Sequence, residues 1–268
     1  MRYDLPAMVK RSGATRRKSV GLPAITPTKA LEDALGAIYL RVVRAWAENA
    51  KATIVPAYSP MPTADGLTRD DAGEISSATE RAEDEINSLI LELQRDLRTW
   101  VLRMEAWHRD KWRSGVLSKA GIDLSTILGP EDVRETVQAL LERNAALVQD
   151  VSDQIKARIT DAVWRGYTGR KPVREVAKEI NDAVQLGRKR SIRIASDQTV
   201  KLSGALDDER RRQAGVDVWI WRHSGKLHPR EDHKARDGKK YTDKTRPADM
   251  PGELPFCGCK QQAWIDLD

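Results

Sequence analysis

Apolar residues recur every three or four positions over long stretches of this sequence, and this spacing constrains the fold more than any other feature. The first stripe begins near residue 28 and consists of Leu31, Leu35, Ile38, Val42 and Trp46. The second lies within about residues 79–112 and consists of Ile86, Ile90, Leu93, Leu97, Trp100, Met104 and Trp107. Such spacing lines one face of an α-helix. It predicts helices over about 28–51 and 79–112, the second long enough for a helical hairpin or a rod.

The second half of the chain continues the helical pattern with interruptions. Pro130 stands where the first residue of a helix tolerates proline, and Gly166 stands where an apolar stripe stops. A short helix is predicted after Pro172, and another over about 191–214. The pattern therefore predicts four helices in this part of the chain. We interpret three cations as the last turn of the final helix, where they suit its dipole: Arg210, Arg211 and Arg212.

The segment VDVWIWR, residues 216–222, alternates as a strand does, with Trp219 and Trp221 on one face. Tryptophans in a strand form core more often than they stack on bases, so we expect both to be buried. The predicted fold class is mainly α: long amphipathic helices followed by a small α+β C-terminal module with a candidate zinc knuckle.

We divide the chain into four consecutive regions. Residues 1–28 hold six Lys/Arg against one Asp without an apolar period, which predicts a basic flexible arm that orders only on a partner. Residues 29–130 form a long-helix region without an assigned role, and residues 131–214 form a second helical region. Residues 215–268 form a small strand and loop module with a cluster of His and Cys. Within the long-helix region, the three prolines of residues 55–66 predict a loop or a crossing strap.

The formal charge of +6 is concentrated in the C-terminal module. Between Arg222 and Arg246 there are nine Lys/Arg against four acids. Nucleic acid is one partner that fits such a segment, and a solvated loop that binds no polyanion is the alternative. The candidate nucleic-acid contacts are Arg222, Lys226, Arg230, Lys234, Lys239 and Lys240.

The sequence shows no run of about 18 apolar residues, and its first residues lack the apolar region of a signal peptide. We therefore expect a soluble protein made in a cytosol, without a membrane partner. The two cysteines, Cys257 and Cys259, are separated by one glycine, and a disulfide across one residue would be strained. Both thiols are expected to be reduced.

Three of the four histidines and both cysteines lie between residues 223 and 259. A glycine between two cysteines permits the tight bend that lets both thiolates reach one metal ion. A tetrahedral zinc site is chemically sensible for these nitrogen and sulfur donors. The alternative is that the cysteines are small buried apolar residues and the histidines contact phosphates or backbone carbonyls. The predicted ligands are His228, His233, Cys257 and Cys259, with His223 as the reserve.

Catalytic interpretations of the same residues are weaker. The pair Asp232-His233 resembles the start of small metal-dependent nuclease motifs, but those motifs need Asn and His downstream, and neither residue type occurs after His233. A cysteine nucleophile with His233 as base lacks a third orienting residue. His108, on the long helix, is interpreted as an ordinary surface or packing residue.

The order of features over about residues 140–262 resembles the C-terminal domain of the phage Mu F-like proteins, the minor head or head morphogenesis family of tailed double-stranded DNA phages. The acid that often precedes the Arg-x-x-His of that family is missing, and this chain offers Lys226 and His228 there. The residues that match the family pattern are Ala195, Asp197, Gln198, Gly215, Trp221, Arg230, His233, Gly238, Pro251, Gly252, Cys257 and Cys259.

The resemblance implies a minor capsid protein inside the head of a virion, present in the host cytoplasm during assembly. It implies a role in head assembly at or near the portal, and in genome packaging or delivery. The implied partners are the portal protein, the major capsid protein or scaffold, and packaged double-stranded DNA. Neither enzymatic activity nor a small-molecule substrate is implied. The alternative function is a stand-alone DNA-binding or DNA-processing module, for which metal-dependent nuclease chemistry is the weaker form.

Overall fold

The computed structural model of the chain describes residues 3–13, 15–58 and 72–267. The chain divides into two compact units. The first, which we call the sheet unit, comprises Met1–Glu32, Thr99–Glu142 and Ser196–Asp268. The second, which we call the helical unit, comprises Asp33–Arg98 and Arg143–Ala195. Both units are therefore built from segments that are distant in sequence.

Helices dominate the described residues, and the predicted mainly α class with a small C-terminal sheet is confirmed. No described helix is both long enough and apolar enough to cross a bilayer. In chain order the helices are α1 (Leu5–Ser12), α2 (Lys29–Asn49), α3 (Val55–Tyr58), α4 (Ala72–Ala120), α5 (Arg134–Thr168), α6 (Val173–Gln213) and α7 (Glu231–Ala235).

Two predicted interruptions are wrong: the two helices predicted between Pro130 and Gly166 form one helix, α5, and the two predicted between Pro172 and residue 214 form one helix, α6. The stop predicted at Gly166 lies just before the actual end of α5 at Thr168; a Cβ at Gly166 would overlap Val176 and approach the Tyr58 hydroxyl to 3.0 Å. Gly187 lies within α6, where a Cβ would lie 2.6 Å from Cδ1 of Ile155. Both glycines therefore serve close packing in the helical unit, which the sequence pattern cannot distinguish from helix termination.

The helical path of α2 also continues further than predicted. A π-helical turn at Ala50–Ile54 leads directly into α3, so Pro56 lies inside the last helical turn rather than in a loop. The rest of the predicted strap, residues 59–66, lies outside the described residues.

The core of the helical unit combines apolar stripes with buried polar pairs. The apolar positions predicted on α2 and the first half of α4 are buried, among them Leu35, Trp46 and Leu93. Trp46 Nε1 donates to Ser152 Oγ at 2.9 Å, and the Tyr39 hydroxyl donates to Asn144 Oδ1 at 3.1 Å. These bonds satisfy polar groups that burial would otherwise leave unpaired.

The sheet unit contains an antiparallel sheet with the strand order β1-β4-β2-β3 among the described residues. The strands are β1 (Ser19–Gly21), β2 (Val218–Arg222), β3 (Lys240–Tyr241) and β4 (Lys260–Asp266). In β2, Trp219 pairs with Ala263 and Trp221 with Gln261. Both tryptophans are fully buried, as predicted, so neither indole is available to stack on bases.

The prediction of a flexible N-terminal arm is wrong for the described residues. Helix α1 buries Leu5 and Val9, and Val20 of β1 pairs with Ile265 of β4. These side chains belong to the main core of the sheet unit, together with Trp112 and Val116 of α4. The apolar residues of this segment are too few and too irregularly spaced to show a period. Burial of Leu5, Val9 and Val20 nevertheless orders the segment, although most of its other residues are basic or polar.

Two of the three predicted last-turn cations of α6, Arg210 and Arg211, are buried. Arg210 donates to Glu105 at 2.7 Å, and Arg211 donates to the carbonyl of Val216 at 2.8 Å and to Asp243 at 2.6 Å. Arg212 remains exposed. His108 is also fully buried and forms a bond of 3.1 Å to Asp207. Of its two predicted interpretations, a surface residue or a packing residue, the first is wrong and the second agrees with its burial.

Candidate metal centre

The C-terminal module places one histidine and both cysteines in a common buried site. Helix α7 presents His233, and the turn before β4 presents Cys257 and Cys259. All three are buried, and the cysteines pack with Trp219 and Trp221 of β2. Gly258 permits the tight turn, because a Cβ there would lie 2.9 Å from Cβ of Ser224.

Both sulfurs face the same nitrogen of the imidazole. The Nδ1 atom of His233 lies 3.4 Å from Cys257 Sγ and 3.7 Å from Cys259 Sγ. The three donor atoms lie within 4.8 Å of one another. One imidazole nitrogen and two thiolates are the donor types that zinc prefers, so the residues present fit this metal.

The other imidazole nitrogen is held by a carboxylate. The Nε2 atom of His233 lies 2.8 Å from Asp249, whose second oxygen accepts from Arg236 at 2.8 Å. A metal-binding histidine commonly uses its second nitrogen in this way, since the carboxylate fixes the tautomer that leaves the first nitrogen free for the metal. The Arg236 guanidinium and His233 hold the pKa of Asp249 below its usual value despite burial, so this carboxylate is charged.

The electrostatics of the cysteine turn favour a thiolate. The Cys259 thiol donates to Cys257, and backbone N–H groups of Cys259 and Gly252 add to this, so the pKa of Cys257 falls to about 5. The pKa of Cys259 is raised, because its proton is held by the neighbouring sulfur and burial disfavours a second charge. The directions of these two pKa changes favour one thiolate in the pair, and the thiolate is the form of cysteine that binds metal.

The structure does not bring the other two predicted histidines into this group. His228 is exposed and His223 is half-buried, and neither belongs to a donor cluster among the described residues. His223 Nδ1 instead accepts from the backbone N–H of Gly225 at 3.1 Å. The loop that carries His228 is bonded to the cysteine turn on both sides, by Lys226 to the carbonyl of Phe256 and by Arg230 to that of Pro255.

Sequence reasoning missed Asp249 as a site residue. Its signal was weak, since it lies 16 residues after His233 in a loop without a periodic pattern. Sequence reasoning also gave Asp197 no role beyond its place in the family pattern. The buried side chain of Asp197, on α6, reaches the cysteine turn. Contacts of this kind depend on tertiary structure and have no local spacing.

The predicted nucleic-acid contacts form two groups. Arg222, Lys226 and Arg230 each donate to the protein itself, Arg222 to Gln262 at 2.6 Å. Lys234, Lys239 and Lys240 are exposed. Of these, Lys240 lies over the ring of Trp264 with its ammonium 4.4 Å from the ring centroid. Lys226 and Arg230 are also exposed but donate to backbone carbonyls. We therefore call Lys234, Lys239 and Lys240 the exposed lysines, the members of the predicted set that remain most available to a polyanion.

These features define a class: a largely helical protein whose C-terminal sheet carries a buried thiol and imidazole site. Residues 153–262 match the family described as phage Mu protein F like protein. The kinship predicted from the sequence is thereby confirmed. The family implies a phage head morphogenesis protein.

A curated relative from Haemophilus influenzae (strain ATCC 51907 / DSM 11121 / KW20 / Rd), named as an uncharacterized protein, is 29% identical over 170 residues. The match covers 62% of this chain and 38% of the relative, so the chain spans well under half of that protein. No solved structure gives a significant match.

Proposed function

We propose that the chain is a minor head protein of a tailed double-stranded DNA phage that acts in head assembly at or near the portal. The family match over residues 153–262 is the observation that carries this proposal. A largely helical body with a small, rigid C-terminal module suits a protein that bridges other head proteins. The portal protein and the major capsid protein or scaffold are the proposed protein partners, and the interior of the virion is the proposed location.

The location of the chain in purified particles tests this role. We expect mass spectrometry to detect it at low copy number, and we expect cryo-electron microscopy to show its density inside the shell beside the portal. Particles assembled without it should be defective in assembly or in packaged DNA. Normal, filled particles that lack the chain would contradict the proposal.

We also propose that the C-terminal module binds zinc through His233, Cys257 and Cys259. The convergence of both sulfurs on one imidazole nitrogen supports this, and the Asp249 carboxylate on the opposite nitrogen supports it further. When bound, the ion would cross-link α7 to the turn before β4 and so add to the stability of a small module. His228 is the chain's own candidate for a fourth donor, since its loop is bonded to the cysteine turn.

Metal content and thermal unfolding of the purified full chain test the zinc site. We expect near-stoichiometric zinc in the wild type, and we expect Cys257→Ser with Cys259→Ser to lose both the metal and part of the thermal stability. His223→Ala should keep the metal. His228→Ala decides the fourth donor: a loss of affinity assigns it to this histidine, and an unchanged affinity leaves the three-residue site with a ligand from outside it.

DNA contact by the exposed lysines is the second candidate function. Three nearby acids are already engaged inside the module: Asp232 and Asp249 with Arg236, and Asp243 with Arg211. Within the described residues, by contrast, Lys234 and Lys239 form no salt bridge. Two exposed cations that form no salt bridge within the described residues suit the phosphate backbone of DNA.

Binding to duplex DNA as a function of salt tests this interaction. We expect the triple variant Lys234→Gln, Lys239→Gln, Lys240→Gln to weaken binding and to reduce the salt slope by about 0.9 for each phosphate that the variant no longer neutralises. A matched control neutralises three exposed lysines elsewhere, Lys51, Lys111 and Lys178. If the two triple variants weaken DNA binding equally, binding depends on the net charge of the protein and not on the exposed lysines of the C-terminal module.

A further inference from the structure

The Asp-Gln step of the family pattern, Asp197-Gln198 on α6, has no part in the functions proposed above. Asp197 is 8% exposed, although carboxylates are rarely buried unless they are bonded. Its Oδ1 atom accepts from the backbone N–H of Phe256 at 2.6 Å, 59 residues further along the chain. Phe256 directly precedes Cys257. A buried carboxylate therefore reaches the first residue of the cysteine turn.

The second oxygen of Asp197 is held on its own helix. Oδ2 accepts from Lys201 Nζ at 2.5 Å and from Gln198 Nε2 at 3.1 Å. Because both side-chain donors lie on α6, the carboxylate is fixed to the helix through one oxygen and to the cysteine turn through the other. A charge-assisted hydrogen bond of this kind is stronger than a bond between neutral groups.

The cysteine turn needs such a restraint. Phe256 adopts a positive φ of 60°, a conformation that side chains other than glycine disfavour. Its side chain is 43% exposed, so burial of the ring does not account for this conformation. Unfavourable backbone angles persist only where the surroundings impose them. The N–H of Phe256 donates to Asp197, and the carbonyl of Phe256 accepts from Lys226. These two hydrogen bonds hold Phe256 at its positive φ.

Helix α6 also contacts the loop that leads into the cysteine turn. Gly252, at a φ of 84°, packs against the helix: a Cβ there would lie 3.5 Å from Cγ1 of Val200, an ordinary van der Waals contact. A Cβ on Gly204 would lie 3.3 Å from the carbonyl oxygen of Pro251. The face of α6 that begins at Asp197 therefore backs the loop from Pro251 to Phe256, and both sulfurs follow directly from that loop.

We propose that Asp197 is the positioning residue of the metal centre, because its carboxylate fixes the turn that aims Cys257 and Cys259 at His233. This inference rests on the proposed zinc site, and it gives the Asp-Gln step of the pattern a physical role. Asp197 contacts neither sulfur nor imidazole; it acts through the backbone of Phe256.

Cobalt binding to the full chain tests the proposal, because thiolates bound to Co²⁺ give a characteristic absorption band. We expect Asp197→Ala to weaken Co²⁺ affinity by about 10- to 100-fold, the usual effect of losing a residue that orients ligands. Asp197→Asn keeps an acceptor for the N–H of Phe256 and should lose less. The matched control is Asp207→Ala on the same helix: Asp207 is similarly buried but bonds to His108, so this variant should lose stability and keep its Co²⁺ affinity.

A second measurement needs no metal. We expect iodoacetamide to alkylate the cysteines of metal-free Asp197→Ala about tenfold faster than those of the wild type, because the turn opens more often. Failure of the wild type to bind Co²⁺ would defeat the zinc proposal, and alkylation would then decide the role of Asp197 alone. Unchanged alkylation and unchanged affinity in Asp197→Ala, or equal losses in Asp207→Ala, would overturn the positioning role. Should Asp197→Ala fail to fold, Asp197→Asn replaces it: its neutral amide accepts a weaker hydrogen bond than the carboxylate, so both changes should appear in smaller measure, and their absence would overturn the positioning role.

Discussion

Arg210 donates a hydrogen bond to Nδ1 of His108, and this contact fixes the protonation state of a fully buried imidazole. A guanidinium can only donate, so Nδ1 must be the unprotonated nitrogen. The proton then lies on Nε2, which donates to Asp207 at 3.1 Å. His108 is therefore neutral, within a buried network of Glu105, Asp207 and Arg210.

This network predicts how stability depends on pH. Burial lowers the pKa of His108 from its ordinary value of 6.5, so below about pH 6.5 the unfolded chain binds a proton that the folded chain does not. Stability should therefore fall with decreasing pH below about 6.5, by up to about 1.4 kcal/mol per pH unit for this group. Burial raises the pKa values of Glu105 and Asp207, and these carboxyls titrate in the opposite sense.

The variant His108→Gln separates these contributions. Glutamine can donate to Asp207 but cannot take up a proton, so the difference in slope between wild type and variant reports His108. We expect urea unfolding between pH 7 and pH 5 to show a smaller loss of stability in the variant. Parallel curves for the two proteins would show that His108 does not titrate between its folded and unfolded states in this range.

The buried ion pair of Arg210 with Glu105 predicts that replacing Arg210 lowers the free energy of unfolding more than replacing Arg212, which lies two residues further along α6. Burial lowers the pKa of Arg210 to about 10, so its side chain stays charged at neutral pH. Arg210→Met would leave Glu105 buried without its main partner, at a cost of about 3–5 kcal/mol. Arg212 is 53% exposed, and Arg212→Met should cost at most about 1 kcal/mol. Urea unfolding of both variants at pH 7 makes the comparison, and similar losses would contradict it.

The elements that the sequence predicted well share one property, a periodic burial pattern. The helices α2 and α4 repeat apolar residues every three or four positions, and burial follows that repeat. The alternation in VDVWIWR located β2, although Ile220 between the two tryptophans is buried as well. Donor chemistry and the glycine between the cysteines led us to predict His228 and His233 beside Cys257 and Cys259, and the structure groups only His233 with the two cysteines. That zinc occupies the site stays a prediction.

The elements that were missed depend on tertiary partners. Strand β4 alternates buried and half-buried residues, but its inward side chains include Gln261, so its apolar signal is weak. Strand β1 has three residues and exists because it pairs with β4. The buried charges at Arg210 and Arg211 look like a solvated last turn until Glu105 and Asp243 are placed beside them. Each of these pairings joins residues that are far apart in the sequence, so no local spacing of residue types predicts it.

Because the N-terminal segment is folded, we expect its buried apolar side chains to contribute to the free energy of unfolding of the chain. Leu5 is fully buried in the core of the sheet unit, so Leu5→Ala should cost about 2–5 kcal/mol. Arg11 on the same helix is exposed, and Arg11→Ala should change stability by less than about 0.5 kcal/mol. A chain in which Leu5→Ala unfolds at the same urea concentration as the wild type would instead have the flexible arm expected from composition.

Two glycines of the helical unit predict opposite signs for the same substitution. In a helix interior, Gly→Ala is favourable by about 1 kcal/mol when space permits. At Gly36 of α2 a Cβ would meet Cβ of Ala195 at 3.7 Å, an ordinary contact, so Gly36→Ala should stabilise the fold by about that amount. At Gly166 of α5 it would overlap the stiff β-branched side chain of Val176, and overpacking of this kind costs about 1–3 kcal/mol. Gly166→Ala should therefore destabilise the fold, and Val176→Ala should recover part of the loss in the double variant. Thermal unfolding of the three variants measures the signs, and a stabilised Gly166→Ala would mean that α5 and α6 pack less closely than the overlap with Val176 requires.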